Sequence, residues 1–340
     1  MSKTYKMAIL GCGDFLRWQS GDIKDAENIE VKYLFDPRKE QAEKYAAELG
    51  GQAVDSDAIC FDDPEIDIVA LFVPPWIRRG LVERACAAGK HIFTTKPLGA
   101  TAEECEAMVA AVEKAGVLCG LGYNRTANPL IETYKNIFAD PEIGRLALYK
   151  QDWLHHYPQW NDWALDPEKN GGPFMDAMIH NQNIARYLMG RPMKAATYFS
   201  DKHAHPDLKC GDTEFMKLDF EDNGSAHLFI TWAADLQVFS TEGNDREHID
   251  ICYSVSEKGW RLTHAWADGG QVITASREGE KREWKVEPLP QNAYQQFAAA
   301  LDSGADSLPA DIPSIQEALE DIKLVRLVEK QPGSRVAIDF

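Results

Sequence analysis

Three short stretches of the chain carry residue types able to bind anions and move protons. Gly11-Cys12-Gly13 closes an apolar run and opens a helical pattern. Glycines at such a turn let a pyrophosphate approach the backbone and rest on a helix N-terminus. Asp14 and Phe15 stand beside the turn, and Asp36 ends the next apolar run, where an acid bonds the hydroxyls of an adenosine ribose. In the second stretch, Thr95-Lys96-Pro97 follows the strand-like His91-Ile92-Phe93. Pro97 biases the backbone of Lys96 toward extended conformations and makes a cis bond possible, which would hold the amine in one place. In the third, GGPFMDAMIHNQN from Gly171 to Asn183, Asp176 and His180 are four apart and share one helix face, with Asn183 and Tyr187 continuing the line. Their neighbours from Phe174 to Ile179 are apolar, so the pair needs a polar space to face.

Each stretch also has a plainer reading. Gly11 and Gly13 can form an ordinary turn, with Asp36 capping the helix that begins at Pro37. The usual third glycine of the turn is Leu16. His180 can be a core histidine held by Asp176. Metal ligation by His180 with His203 and His205 is disfavoured, because no carboxylate or cysteine cluster has recognisable ligand spacing; no metal is expected. If the turn binds a dinucleotide, Asp36 repels a 2′-phosphate, which favours NAD over NADP, while Arg38 partly offsets that charge and leaves NADP as the second choice.

The elements that must position these groups follow from periodicity. Lys6 to Leu10, Val31 to Phe35, Gln52 to Val54, Ile68 to Val73, His91 to Phe93 and Gly116 to Gly122 read as six strands. Helical patterns separate several of them at Arg38 to Leu49, Trp76 to Ala88 and Ala102 to Ala115. Alternating β and α units imply a parallel sheet covered on both faces, with ligands at its carboxyl edge. Val73-Pro74-Pro75 and Thr95-Lys96-Pro97 both lie at that edge, so Pro74 and Lys96 join Gly11, Gly13, Asp14, Phe15, Asp36 and Arg38 as cofactor candidates, and Lys96 points into a cleft. The second half has hairpin texture around Asp222-Asn223-Gly224, further strand-like runs near 249–255, 271–276 and 283–287, and helices over 173–188, 292–301 and 315–328. The expected fold is α/β: an N-terminal Rossmann dinucleotide-binding domain over 1–124, then an α+β domain over 125–340 with a large, mainly antiparallel open sheet.

A substrate would meet the second domain. Tyr149, Gln151, Trp153, His155 and Tyr157 alternate onto one strand face, with Trp160 and Trp163 following, and aromatic faces with polar edges suit the C–H faces and hydroxyls of a sugar. The same face can instead pack under the cofactor domain or at a subunit contact. Asn124 and Arg125, after the sixth strand, can also reach a substrate; Arg125 can equally tie the domains together.

Composition narrows the partners. With 340 residues the chain fits about two domains. A formal net charge of −18 repels phosphate backbones and anionic membranes, so neither nucleic acid nor membrane is an expected partner. The seven cysteines are scattered without a C-x-x-C pair. That spacing points to reduced thiols and a cytoplasmic location.

Taken together, the glycine turn, the ribose acid, the lysine-proline after the fifth strand, Gly122-Tyr123-Asn124-Arg125 and G-G-x-x-x-D-x-x-x-H from Gly171 to His180 resemble the glucose-fructose oxidoreductase and inositol dehydrogenase family, Gfo/Idh/MocA. Thr95 stands where its motif has a glutamate and Arg78 where a histidine is common. The resemblance implies a Rossmann domain followed by an open-sheet domain that often forms dimers or tetramers. It also implies an NAD-linked oxidoreductase acting on a carbohydrate or polyol, with Lys96, Asp176 and His180 as catalytic residues and Asn183 near the substrate. It covers two further readings: a glycoside-cleaving enzyme that oxidises its sugar transiently, and a dinucleotide-sensing regulatory protein without chemistry.

Overall fold

The computed structural model describes residues 3–156, 162–169, 171–234, 249–267 and 269–340. The chain divides into two compact units, one of residues 1–127 and 289–319, the other of residues 128–288 and 320–340.

In the first unit, strands β1 (Tyr5–Leu10), β2 (Ile29–Phe35), β3 (Gln52–Ala53), β4 (Ile68–Leu71), β5 (His91–Thr95) and β6 (Cys119–Gly122) form one parallel sheet in the order β3-β2-β1-β4-β5-β6. Helices α1 (Asp14–Asp25), α2 (Lys39–Leu49), α3 (Ala58–Asp62), α4 (Pro75–Ala87) and α5 (Ala102–Ala115) connect them. Every residue of β4 is buried, as expected of a central strand with both faces covered. This is the doubly wound order whose ligands sit at the carboxyl ends of the strands, where the order reverses next to β1. At that end Thr94 Oγ1 donates to Leu71 O of β4 at 2.8 Å and Thr95 Oγ1 to Gly122 O of β6 at 3.2 Å. Two threonines thus hold the last residues of β5 to both neighbours, directly before Lys96.

The first unit is completed from the far end of the chain, which a single boundary near Asn124 does not anticipate. Ala293, Tyr294, Phe297, Ala298 and Ile312 belong to the core of the Rossmann sheet. The rings of Tyr294 and Phe297 lie 4.8 and 5.6 Å from that of Phe93 on β5. Burial of a few large rings decides this return, and no sequence period advertises it.

The second unit begins with α6 (Pro129–Ala139) and β7 (Leu146–Leu154). After a π-helical turn at Phe174–Met178 come α7 (Ile179–Met189), β8 (Met193–Asp201), β9 (Thr213–Phe220), β10 (Ser225–Thr231), β11 (Ile249–Ser256), β12 (Arg261–Ala267), β13 (Gly270–Arg277) and β14 (Glu280–Lys285). Helices α8 (Ala293–Asp302) and α9 (Ile315–Val328) and strand β15 (Arg335–Ala337) end the chain. Nine strands form a sheet ordered β14-β13-β12-β11-β7-β10-β9-β8-β15. The pairs are antiparallel except β10 with β7. The hairpin read at 222–224 joins β9 to β10, with Asp222 and Asn223 both at positive φ. The helix expected over 173–188 is a π turn followed by an α-helix. The elements α6, β8 and β12 are not among those expected, although α6 is amphipathic and opens with an Asn128 cap, whose side chain accepts from the Leu130 N–H, followed by Pro129.

Within this unit Asp321 of α9 anchors α7. Its carboxylate is fully buried and accepts from Gln182 Nε2 at 3.0 Å, from Asn183 Nδ2 at 2.6 Å and from Arg186 Nη1. Replacing Asp321 with Ala strands these donors, and breaking one partner of a buried pair is the costly case. We expect Asp321→Ala to lower unfolding free energy by about 3 kcal/mol, and Asp321→Asn by clearly less, in urea titrations with unchanged slope. Equal stability of wild type and Asp321→Ala would show that the anchor carries no weight.

Candidate functional site

The turn after β1 admits glycine alone. Gly11 has φ +94°, and a Cβ there would lie 2.3 Å from the carbonyl oxygen of Phe72. The close approach brings the end of β1 against the end of β4. The N-cap of α1 is Gly13, with no side chain bonded to the first-turn N–H groups, so they face a ligand position with the positive end of the helix. Asp14 opens the helix and pairs at its surface with Arg17, 3.5 Å away. The ring of Phe15 covers Gly122 at the end of β6 and meets Phe72 edge-on at 4.9 Å.

Asp36 is 8% exposed and fully engaged. It accepts from the Cys12 N–H at 2.9 Å, the Arg38 N–H at 2.8 Å and Arg38 Nε at 3.2 Å. Burial alone would raise its pKa, but the Arg38 side chain and the two backbone N–H groups outweigh it and hold the carboxyl below its ordinary value. The acid is therefore ionised at neutral pH. Arg38, whose side chain is mostly exposed, lies within 4.0 Å of the position a Gly13 side chain would take. Glycine turn, uncapped helix and anchored acid fit NAD.

Lys96 follows the last residue of β5, is half-buried, and precedes Pro97 through a cis peptide bond. Pro74, the N-cap of α4, stands at the end of β4. Asn124 is exposed after β6. Arg125 is placed differently from a substrate ligand: it is fully buried, with Nη1 donating to Ala310 O and Nη2 to Glu317, each at 2.5 Å. It ties the returning segment 289–319 to the end of β6 inside the first unit.

In the second unit, Gly171 and Gly172 let the chain enter the π turn. A Cβ on Gly171 would lie 2.4 Å from Ala164 O, and Gly172 has φ +112°. Asp176 and His180 are half-exposed, whereas Phe174, Met175, Met178, Ile179 and residues 181–185 are buried. They span the junction between the π turn and α7. Such π segments are frequent at functional sites. Asn183 and Tyr187, expected to extend this line, have other duties. Asn183 is 1% exposed and bonded to Asp321, and Tyr187 donates to Glu132 at 2.7 Å.

The alternating face of β7 is divided. Tyr149 and Gln151 are buried beneath α7, where the Tyr149 hydroxyl lies 3.3 Å from both Gln151 Oε1 and Asn181 Oδ1 and shares its one proton between them, and Gln151 Nε2 donates to Asp250. Trp153 and His155 continue it, their rings 6.3 Å apart, with His155 buried and its Nδ1 3.0 Å from His156 O. Tyr157 and Trp160 lie outside the described residues. Among the described residues no group of three or more His, Cys, Asp or Glu side chains is arranged to hold a metal, and none of the seven cysteines is joined in a disulfide. No helix among them is long and apolar enough to cross a membrane.

Sequence reasoning missed Glu214. It lies on β9 facing inward with Met216, Leu218 and Phe220, fully buried in effect at 5% exposure, and accepts from the Phe174 N–H at 2.6 Å where the π turn begins. A carboxylate on the apolar face of an alternating strand was the available signal.

A parallel Rossmann sheet with an anion-receptive turn and anchored ribose acid, joined to an open antiparallel sheet unit, defines a dinucleotide-linked oxidoreductase architecture. The model described as "Oxidoreductase family, NAD-binding Rossmann fold" matches residues 5–123, and that of the GFO/IDH/MocA C-terminal domain matches residues 131–249. The chain belongs to the Gfo/Idh/MocA oxidoreductase family. It is 27% identical to an uncharacterized oxidoreductase of Bacillus subtilis over 72% of this chain and 74% of that one. It is 30% identical to the scyllo-inositol 2-dehydrogenase (NAD(+)) of the same organism over 56% of this chain and 55% of the other, so the match spans about half of that enzyme. The aldose-aldose oxidoreductase of Caulobacter crescentus, solved with glycerol, shares the fold with a TM-score of 0.82 at 21% identity, covering 99% and 100% of the two chains.

Burial, reinforced by the charge of Glu329, pushes the Glu214 carboxyl up to about 7 against the bonds from Tyr198 and Phe174. The folded protein then keeps a proton that the unfolded chain releases above the ordinary value of 4.5. Glu214 stabilises fully below that value, and its contribution falls away as pH rises to about 7. Glu214→Gln keeps an acceptor for Phe174 and removes the titration. Its Tm should decline less than that of wild type across this window; parallel Tm curves would refute the assignment.

Proposed function

We propose that this protein catalyses reversible oxidation of a secondary alcohol on a sugar, sugar derivative or cyclitol, with NAD as partner. The observation that carries the reading is Lys96, held directly after the doubly tied end of β5 in the sheet whose β1 turn and Asp36 fit NAD. The scyllo-inositol 2-dehydrogenase (NAD(+)) similarity supports a cyclitol or sugar-like substrate. NAD, when bound, supplies a hydride acceptor. His180 takes the hydroxyl proton as general base. Lys96 donates a hydrogen bond to the same oxygen and stabilises developing alkoxide charge. Asp176 positions the substrate and sets the orientation of the imidazole. Trp153 and His155 offer an aromatic surface with polar edges to the substrate.

We also assign a second copy of this chain to the outward face of the nine-stranded sheet. Phe199, Phe215 and Phe229 are in register across β8, β9 and β10, and Asp152 and Ile251 continue the row on β7 and β11. Phe199 and Ile251 are 45% and 46% exposed. Phe199→Asp should shift the protein to a smaller species in light-scattering chromatography; an unchanged mass would remove this face from the assembly.

Lys96→Met should bind NAD as wild type does in thermal-shift titration and lose about 10²–10³-fold in kcat on a polyol panel followed at the nicotinamide absorbance. Turnover at the wild-type rate would remove Lys96 from the mechanism. Release of an alcohol from a glycoside without net nicotinamide reduction would reassign the chain to transient oxidation, and failure to bind NAD would sink the reading.

A further inference from the structure

Arg78 lies on the buried stripe of α4 with Val82, Ala85 and Cys86, and is itself fully buried. Its Nη1, with two N–H groups, lies within bonding distance of Thr95 O (2.7 Å), Leu98 O (3.1 Å) and Pro97 O, its Nη2 donates to Val73 O at 2.5 Å, and its Nε has no acceptor among the described residues. The acceptors of these bonds are all backbone carbonyls. Burial draws its pKa down to about 10, so it remains a cation at neutral pH, compensated by carbonyl dipoles.

The location of those carbonyls is informative. The β4–β5 ladder ends at Leu71 with Thr94, and the β5–β6 ladder at Thr95 with Gly122. Val73, Pro97 and Leu98 lie beyond both ladders, and Pro97 has no N–H to offer. One planar guanidinium there replaces the missing ladder: it grips the chain on each side of Lys96 and ties it to the residue before Pro74. A methionine would fill the same apolar stripe without burying a charge. A lysine carries its donors on one nitrogen and cannot span carbonyls this far apart along the chain.

We propose that Arg78 is the positioning residue for Lys96, fixing the turn that aims its amine. The inference rests on the catalytic reading of Lys96 given above. Arg78 touches neither substrate nor cofactor, so its removal should act on the rate step and spare the NAD site built by Gly11 and Asp36.

The test compares wild type, Arg78→Lys and Arg78→Met by three readouts: NAD affinity, kcat and KM on the best polyol, and the pH-dependent rate at which an amine-acylating reagent modifies Lys96, followed by peptide mass. We expect Arg78→Met to keep NAD affinity, lose about 10²-fold in kcat with a smaller change in KM, and alter the Lys96 labelling profile severalfold. Arg78→Lys should recover part of both. Wild-type kcat and labelling in Arg78→Met would overturn the proposal. If Arg78→Met fails to fold, Arg78→Lys decides: wild-type kcat and labelling in a folded Arg78→Lys protein would overturn it, and a lowered kcat with altered labelling would support it. Should the wild type oxidise no polyol, the catalytic reading fails while the labelling comparison still decides whether Arg78 fixes the Lys96 turn.

Discussion

A charged side chain removed from water must have its polar atoms bonded, and the cost of leaving one unbonded is several kcal/mol. That constraint organises both units. Asp36, Arg78 and Arg125 in the first unit and Asp321 in the second are buried charges, Glu214 is a buried carboxyl that keeps its proton up to about 7, and each is bonded to backbone or side-chain groups of another segment, with only Arg78 Nε among their side-chain nitrogens and oxygens left without a partner among the described residues. Because their bonds cannot be exchanged for water, these residues act as fasteners with fixed lengths. The sheet edge and the π turn are rigid where those fasteners meet them.

The chemical groups proposed to react are treated in the opposite way. Lys96, Asp176 and His180 are half-exposed, each beside a segment that is locked by a buried residue or a glycine contact. Pre-organisation of a reactive side chain requires that its backbone be held within fractions of an ångström while its tip stays accessible. Thr94 and Thr95 provide this before Lys96, and Arg78 bonds carbonyls on both sides of it. At the second unit Gly171 packs on Ala164 and Glu214 receives the Phe174 N–H, so the turn bearing Asp176 starts from a defined point.

Much of the Rossmann half was legible in the chain because local signals agree with one another. Continuous apolar runs, a glycine turn and an acid at the end of the second run coincide, and consistency across levels is what makes a pattern readable. Asp176 and His180 were visible as the polar interruptions of an apolar helix. Asn183, expected near a substrate, is bonded to Asp321, and Arg125, which could equally reach a substrate or tie segments together, is bonded to Glu317. Glu214 and Arg78 show one signature, a charge on an otherwise apolar stripe. The partner of such a charge comes from far away in sequence, and single-chain periodicity contains no information about it. The return of residues 289–319 was hidden on similar grounds, since packing of Tyr294 and Phe297 on Phe93 depends on tertiary complementarity.

That return bears on how the protein is made. The Rossmann sheet draws part of its core from residues more than 170 positions beyond its last strand, between Gly122 and Ala293. During synthesis the six strands leave the ribosome with the surface around Phe93 uncovered, and it stays so until Tyr294 and Phe297 have emerged. At about 5–20 residues per second the interval lasts on the order of ten seconds or more. For that time a parallel sheet with an apolar face is exposed in the cell, so the nascent chain is a natural client for chaperones that shield such surfaces. A ribosome stalled before Ala293 would release a domain that carries its complete glycine turn yet lacks the rings that close its core.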